Sequence, residues 1–175
     1  MPDPINKVLL IIAHEGFQPV EYFASKAAIE FVGHEVITAS DKSGEANSAL
    51  DFLPAKVDVA IKDAKGADYD GVFIIGGPGA LDHLDNRETY RLVHEAEAAG
   101  KLWGAICIAP RILAKTGLLK GRKATGWDGD NELGKILAGV GAEYIIEPVV
   151  VDKKLFTASG PKAAEEWGKT IAASL

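Results

Sequence analysis

Val8-Leu9-Leu10-Ile11-Ile12-Ala13 is an unbroken apolar run. A strand with one wet face alternates apolar and polar residues, whereas a run without polar interruption belongs to a strand covered on both faces, as in a parallel sheet. Outward from this run, Gln18 stands near an N-cap position and Pro19 opens a helix. Val20, Phe23, Ala24, Ala27, Ala28 and Phe31 recur at helical spacing until Gly33 stops them. Glu35–Ser40 (EVITAS), residues 72–75 (VFII), Leu102–Ile106 (LWGAI) and Leu155–Ala158 read as further strands. Residues 88–99, 131–140 and 161–173 read as helices, and residues 109–114 start another, with Pro110 in its first turn and Gly117 as its stop. Residues 56–61 (KVDVAI) alternate and predict one half-exposed strand, residues 123–126 a short strand, and residues 143–151 a single strand. Residues 41–70 are otherwise less regular. Strands alternating with helices imply right-handed βαβ units, hence an α/β, doubly wound three-layer sandwich.

The chain has 175 residues, 47% of them hydrophobic, which fits one domain with a sizeable core. We expect a single domain over residues 1–175, with residues 1–6 (MPDPIN) as a flexible N-terminal tail. One Cys excludes an internal disulfide and any CxxC zinc or dithiol motif. A formal charge of -6 and a pI near 5.2 argue against nucleic acid or an anionic membrane as partner. No apolar run approaches the ~20 residues of a membrane span, and the N-terminus lacks the basic and apolar segments of a signal peptide. These features predict a soluble cytoplasmic protein.

In a doubly wound sheet, ligands bind beyond the carboxyl ends of the strands. The junctions after Ala13, Ile75 and Ile106 are therefore where function is expected. A lone Cys beside an apolar run is usually a small core residue. Cys107, however, follows a buried strand and precedes a helix with Pro110 in its first turn, so its sulfur is placed at a strand-to-helix elbow. Unpaired N–H groups and the positive helix end there are expected to lower the thiol pKa.

Gly76-Gly77-Pro78-Gly79 closes the strand at 72–75. It lacks the Lys and Ser/Thr of a phosphate loop and the last glycine of a dinucleotide fingerprint, so no nucleotide cofactor is expected. Bare backbone there suits an oxyanion hole beside Cys107, with the N–H of Gly77 as one donor and that of Ile108 as the other. Glu21 sits where helix capping alone would favour an acid. Its helix also follows the first strand, so it emerges on the same sheet edge as Cys107 and is positioned to shuttle a proton to it. Glu15 competes for that role. The four histidines show no HxxxH or HExxH spacing, and no metal site is expected; only His14 lies at a strand end. Gly76, His14, Glu15, Trp127 and Pro161 are the expected pocket residues.

The block Ala105-Ile106-Cys107-Ile108-Ala109-Pro110, followed by Ile112-Leu113-Ala114 and residues 117–125 (GLLKGRKAT), closely resembles the ThiJ/PfpI family of the class I glutamine-amidotransferase-like superfamily. The first strand and helix with Glu21, the turn at Gly76-Gly77, and Thr157-Ala158-Ser159-Gly160-Pro161 extend the likeness over nearly the whole chain from Lys7. The resemblance implies a flavodoxin-like three-layer αβα sandwich with a mostly parallel doubly wound sheet. It also implies a homodimer or a higher assembly of dimers. It implies that Cys107 is the elbow nucleophile, Glu21 the acid that contacts it, and Gly77 and Ile108 the oxyanion donors. Members include a parkinsonism-associated deglycase, intracellular proteases or amidases, and glyoxalase III enzymes. Protease-type members carry His directly after the nucleophile, where this chain has Ile108, and their further acid falls near Leu81, beside Asp82. Trp127 stands where relatives often have Tyr or His.

The expected function is thus a cofactor-independent, cysteine-dependent enzyme acting on small carbonyl or acyl compounds, of glyoxalase, deglycase or amidase type. One alternative is a redox-sensing stress protein or chaperone that uses oxidation of Cys107 without turnover. A cysteine peptidase is disfavoured by Ile108, and a binding module with an occluded cysteine is the remaining class.

Overall fold

The computed structural model describes residues 4–50 and 54–175. In chain order the elements are β1 (Lys7–Ile12), β2 (Glu15–Phe17), α1 (Pro19–Phe31), β3 (Glu35–Ser40), β4 (Gly44–Ser48), β5 (Ala55–Val57) and β6 (Val59–Ala60). There follow β7 (Gly71–Ile74), α2 (Ala80–Leu84), α3 (Arg87–Ala98), β8 (Leu102–Ile106), α4 (Pro110–Ala114), β9 (Lys123–Ala124), α5 (Leu133–Gly139) and β10 (Glu143–Tyr144). The chain ends with β11 (Val149–Asp152), β12 (Leu155–Ala158) and α6 (Ala164–Ala172). The main sheet has seven strands in the order β11-β12-β8-β7-β1-β3-β6. All its pairings are parallel except the edge pair β11–β12. This is the flavodoxin-like, doubly wound arrangement expected.

The unbroken apolar run of β1 has a direct cause. Val8, Leu10 and Ile12 point into one core with Tyr22 and Ile29 of α1 and Trp167 and Ile171 of α6. Leu9, Ile11 and Ala13 point into the other, with Leu84 of α2, Leu92 and Val93 of α3, Leu113 of α4 and Leu137 of α5. Both faces are dry, so neither parity of the strand tolerates a polar residue. Gln18 caps α1 by accepting from the Val20 N–H at 2.6 Å.

Gly104 lies at the centre of β8, between Phe73 and Phe156 in the ladder. A Cβ there would stand 1.8 Å from the Phe156 carbonyl oxygen, which also accepts from the Trp167 indole N–H at 3.3 Å. Gly104→Ala must push two paired strands apart. We expect it to destabilise the protein by about 3 kcal/mol or more, read from the midpoint of urea unfolding.

Two strand expectations are corrected. Residues 56–61 divide into β5 and β6, which belong to different sheets; β5 pairs with β4, and β6 with β3. The division falls at Asp58, whose N–H donates to the Thr38 carbonyl while its carboxylate accepts from the Thr38 N–H. Residues 143–151 also divide, into β10 paired with β9 and β11 paired with β12, because Pro148 between them has no N–H for a ladder. β2, β4 and α2 had no counterpart in the sequence reading. Of the tail expected over residues 1–6, residues 1–3 lie outside the described residues. Asn6 is tied to the sheet, its carbonyl accepting from the Glu35 N–H at 2.9 Å.

Candidate active site at the carboxyl edge of the sheet

β1, β7 and β8 are adjacent and parallel, so Ala13, Ile75 and Ile106 end at one edge. Cys107 follows β8 with φ +64°, a left-handed conformation that costs a residue with a Cβ about 1–2 kcal/mol. Its N–H donates to the Ala158 carbonyl at 2.9 Å, and its own carbonyl accepts from the Trp127 N–H at 2.6 Å. Pinned at both peptide groups, the residue holds its strained backbone, and the Ile108 N–H turns toward the sulfur. The thiol is half-buried.

Glu21, in the first turn of α1, is fully buried. Its Oε2 accepts from the Gly76 N–H at 2.9 Å, while Oε1 has no hydrogen-bond partner among the described residues. The carboxyl is close enough to the Cys107 thiol for the two to compete for a proton.

The glycine turn is what lets them meet. A Cβ on Gly76 would lie 2.8 Å from both Cys107 Cβ and Glu21 Oε2. Gly79 packs its backbone against Glu15, where a Cβ would fall 1.8 Å from the carbonyl oxygen, and its N–H donates to the Gly16 carbonyl at 3.0 Å. The turn from β7 and the segment between β1 and α1 are therefore stacked backbone on backbone. Gly77, at φ +119°, has an N–H that meets no protein acceptor among the described residues.

Burial decides the electrostatics. Loss of hydration raises the Glu21 pKa from its ordinary 4.5 to about 7, against the lowering effect of its contacts with Cys107 and the Gly76 N–H. Burial and the adjacent Glu21 charge push the thiol well above its usual range, and the Ile108 N–H and the Arg111 guanidinium offset only part of that. The expectation of a lowered thiol pKa is thus corrected: α4 is a single short turn, and its end is outweighed by desolvation and a like charge. Two buried acids side by side cannot both ionise cheaply, so the pair loses one proton near neutrality and keeps the other.

The remaining expected residues divide. Trp127 walls the elbow, 40% exposed, with the Arg111 guanidinium over its ring at 5.4 Å; Arg111 is in turn held by Asp130 through two hydrogen bonds. Gly160, directly before Pro161, faces the sulfur, since a Cβ there would stand 4.0 Å from Sγ. Glu15 is exposed and accepts from the Asn47 side chain at 2.8 Å, so geometry favours Glu21 over it as the acid at the thiol. His14 turns instead to Asp41, with Nδ1 at 2.5 Å from Oδ2. Arg111 had not been singled out from sequence, although it lies four residues after Cys107, one helical turn on.

Among the described residues, no helix is long and apolar enough to cross a membrane. The chain resembles proteins from distant sources. It is 34% identical to an uncharacterized protein of Methanocaldococcus jannaschii, over 94% of this chain and 80% of that one. It is also 34% identical to an uncharacterized protein of Staphylococcus saprophyticus, over 95% of each. In structure it superposes on a ThiJ/PfpI domain protein from Brachyspira murdochii with a TM-score of 0.90 at 24% identity, covering 99% of both chains. It superposes on Drosophila melanogaster DJ-1beta with a TM-score of 0.88 at 25% identity, covering 98% of this chain and 91% of that one. The model of the DJ-1/PfpI family matches residues 6–174, and with the strand order described above this assigns the chain: it belongs to the DJ-1/PfpI family.

Proposed function

We propose that this protein is a cysteine-dependent enzyme that acts without a cofactor on small carbonyl or acyl compounds, with Cys107 as nucleophile and Glu21 as proton shuttle. The observation that carries the reading is the pair itself: a cysteine at φ +64° beside a fully buried carboxyl whose pKa is raised to about 7. A group that ionises near the working pH exchanges protons in both directions, which is what general acid–base catalysis needs.

With a 2-oxoaldehyde, the Glu21 carboxylate takes the thiol proton as sulfur bonds to the aldehyde carbon. The carbonyl oxygen becomes an oxyanion facing the Gly77 and Ile108 N–H groups, then accepts the proton from Glu21 to give a hemithioacetal. Glu21 next removes the hydrogen on that carbon as a proton, giving an enediol, and returns it to the neighbouring carbon while the hydroxyl proton passes to the neighbouring oxygen. The product is a 2-hydroxy thioester. Water cleaves it, releasing a 2-hydroxy acid and restoring the thiol, so one water is added and no external oxidant is needed. With an acyl substrate, an acyl thioester of Cys107 forms as the leaving group departs with the proton from Glu21, and water then cleaves it to the acid and the thiol. With the adduct of a 2-oxoaldehyde on an amine or thiol, sulfur displaces that amine or thiol, which departs with the proton from Glu21 and leaves the same hemithioacetal.

Peptidase chemistry is disfavoured, since Ile108 puts an apolar side chain where a triad histidine would stand. We place the enzyme in the cytoplasm as a homodimer or an assembly of dimers; Val20, Phe23 and Phe31, exposed along α1, supply apolar surface for such contact.

The test is turnover by the pure protein of methylglyoxal, glycated thiols and activated acyl esters. We expect at least one class to be consumed catalytically. No turnover across the panel, together with stoichiometric oxidation of Cys107 by peroxide, would replace the enzyme with a redox sensor.

A further inference from the structure

Spacing along the chain gave no sign of a metal site, yet the fold brings two histidines and a carboxylate together outside the cysteine site. His14 follows β1, Asp41 follows β3, and His83 lies in α2. One ligand-type atom from each lies within 4.8 Å of the others. Asp41 Oδ2 is 2.5 Å from His14 Nδ1 and 3.5 Å from His83 Nδ1. The two imidazole rings meet edge to face with centroids 4.3 Å apart.

We propose that His14, Asp41 and His83 bind one divalent transition-metal ion of the zinc class. Two nitrogens and one carboxylate oxygen suit such an ion by donor type, and three protein ligands leave positions for water. Bonds of about 2.0 Å in tetrahedral geometry set ligand atoms about 3.3 Å apart. The His83–Asp41 separation of 3.5 Å already meets that spacing, and the 2.5 Å His14–Asp41 contact has to open by less than 1 Å. The carboxylate is also oriented in advance. Its Oδ1 accepts from the His14 backbone N–H at 2.8 Å and from the Ser40 hydroxyl at 3.2 Å, which leaves Oδ2 to face both rings.

Charge supports the same assignment. Both imidazoles converge on one carboxylate oxygen, and protonating both would set two like charges in contact. A divalent cation neutralises Asp41 and engages both ring nitrogens at once. His14 and Asp41 are largely buried, with side chains 11% and 15% exposed, whereas His83 at 30% leaves a route of entry. The proposal uses neither Cys107 nor Glu21, and it stands whether or not that pair turns over a substrate.

The test is titration of the full chain with Co²⁺, followed by its visible d–d absorption, and with Zn²⁺ by calorimetry. We expect one ion per chain, retained in Cys107→Ser. In His83→Gln and Asp41→Asn, binding should weaken by at least about 100-fold. His83 is partly exposed, and Asn retains an oxygen for the His14 N–H, so both variants are expected to fold; circular dichroism checks this. No binding by the wild type, binding unchanged in both variants, or binding lost in Cys107→Ser would each overturn the proposal.

Discussion

Cys107→Ser is expected to lower kcat by at least about a thousandfold on any substrate the wild type turns over, with an unfolding midpoint close to that of the wild type. A serine hydroxyl is far less acidic than a thiol. Glu21, with a pKa of about 7, is too weak a base to activate it, and no histidine follows the nucleophile to help, since that position is Ile108. The fold does not need the sulfur, because the elbow is fixed through backbone bonds to Ala158 and Trp127. Side chain and backbone can be separated further. Cys107→Gly and Cys107→Ala both remove the thiol, but only the alanine keeps a Cβ at φ +64°. The glycine variant is therefore expected to be the more stable by about 1 kcal/mol, measured by chemical denaturation. Equal stabilities would mean that the elbow carries no strain. Residual turnover in Cys107→Ser within tenfold of the wild type would remove Cys107 from the mechanism.

The sequence made the central strands legible because their cause is local and strong: both faces of β1, β7 and β8 are buried, so every position after Lys7 at the start of β1 lacks a polar side chain. The elbow was legible for a related reason. Only three residues separate the buried strand from Pro110, so the chain must turn there, and Cys107 is the first of them. Glu21 was legible by topology, since a helix that follows β1 starts at the same edge as one that follows β8.

What was not legible depends on contacts between distant segments. β2 and β4 are short, and backbone pairing holds them with little side-chain periodicity to mark it. Asp41 lies 27 residues from His14 and meets it only because β1 and β3 are neighbours in register, so no linear spacing reveals the pair. The thiol shows the same limit. Its neighbours in sequence, the Ile108 N–H and the Arg111 guanidinium, lower its pKa; burial and a carboxyl brought from a distant segment raise it by more. Pro148 was the one overlooked local signal, because a proline inside a run read as one strand argues against that strand.

Glu21→Gln is expected to gain stability and lose activity at the same pH. The folded protein keeps the Glu21 proton up to about pH 7, while in the unfolded chain it is lost near the ordinary value of 4.5. Between those values the folded state binds more protons than the unfolded state, so wild-type stability falls as pH rises. The contribution is complete below pH 4.5 and gone above about 7, and a shift of this size corresponds to roughly 3 kcal/mol. Glutamine is neutral throughout. Its amide oxygen can still accept the Gly76 N–H, so the variant should match the wild type near pH 4 and exceed it by about 2 kcal/mol at pH 8. Urea unfolding at the two pH values measures this. Activity should move the other way. The wild-type kcat/KM should rise with pH through about 7, as the Cys107–Glu21 pair gives up its first proton and a base becomes available. The variant should lose about 100-fold or more and show no limb there. A pH-independent gap in stability would mean that Glu21 is already ionised in the folded protein at low pH. A wild-type limb kept in Glu21→Gln would assign the titration to another group. Fully buried, the carboxyl costs the fold stability at the pH where, under the proposed mechanism, its charge would serve the thiol.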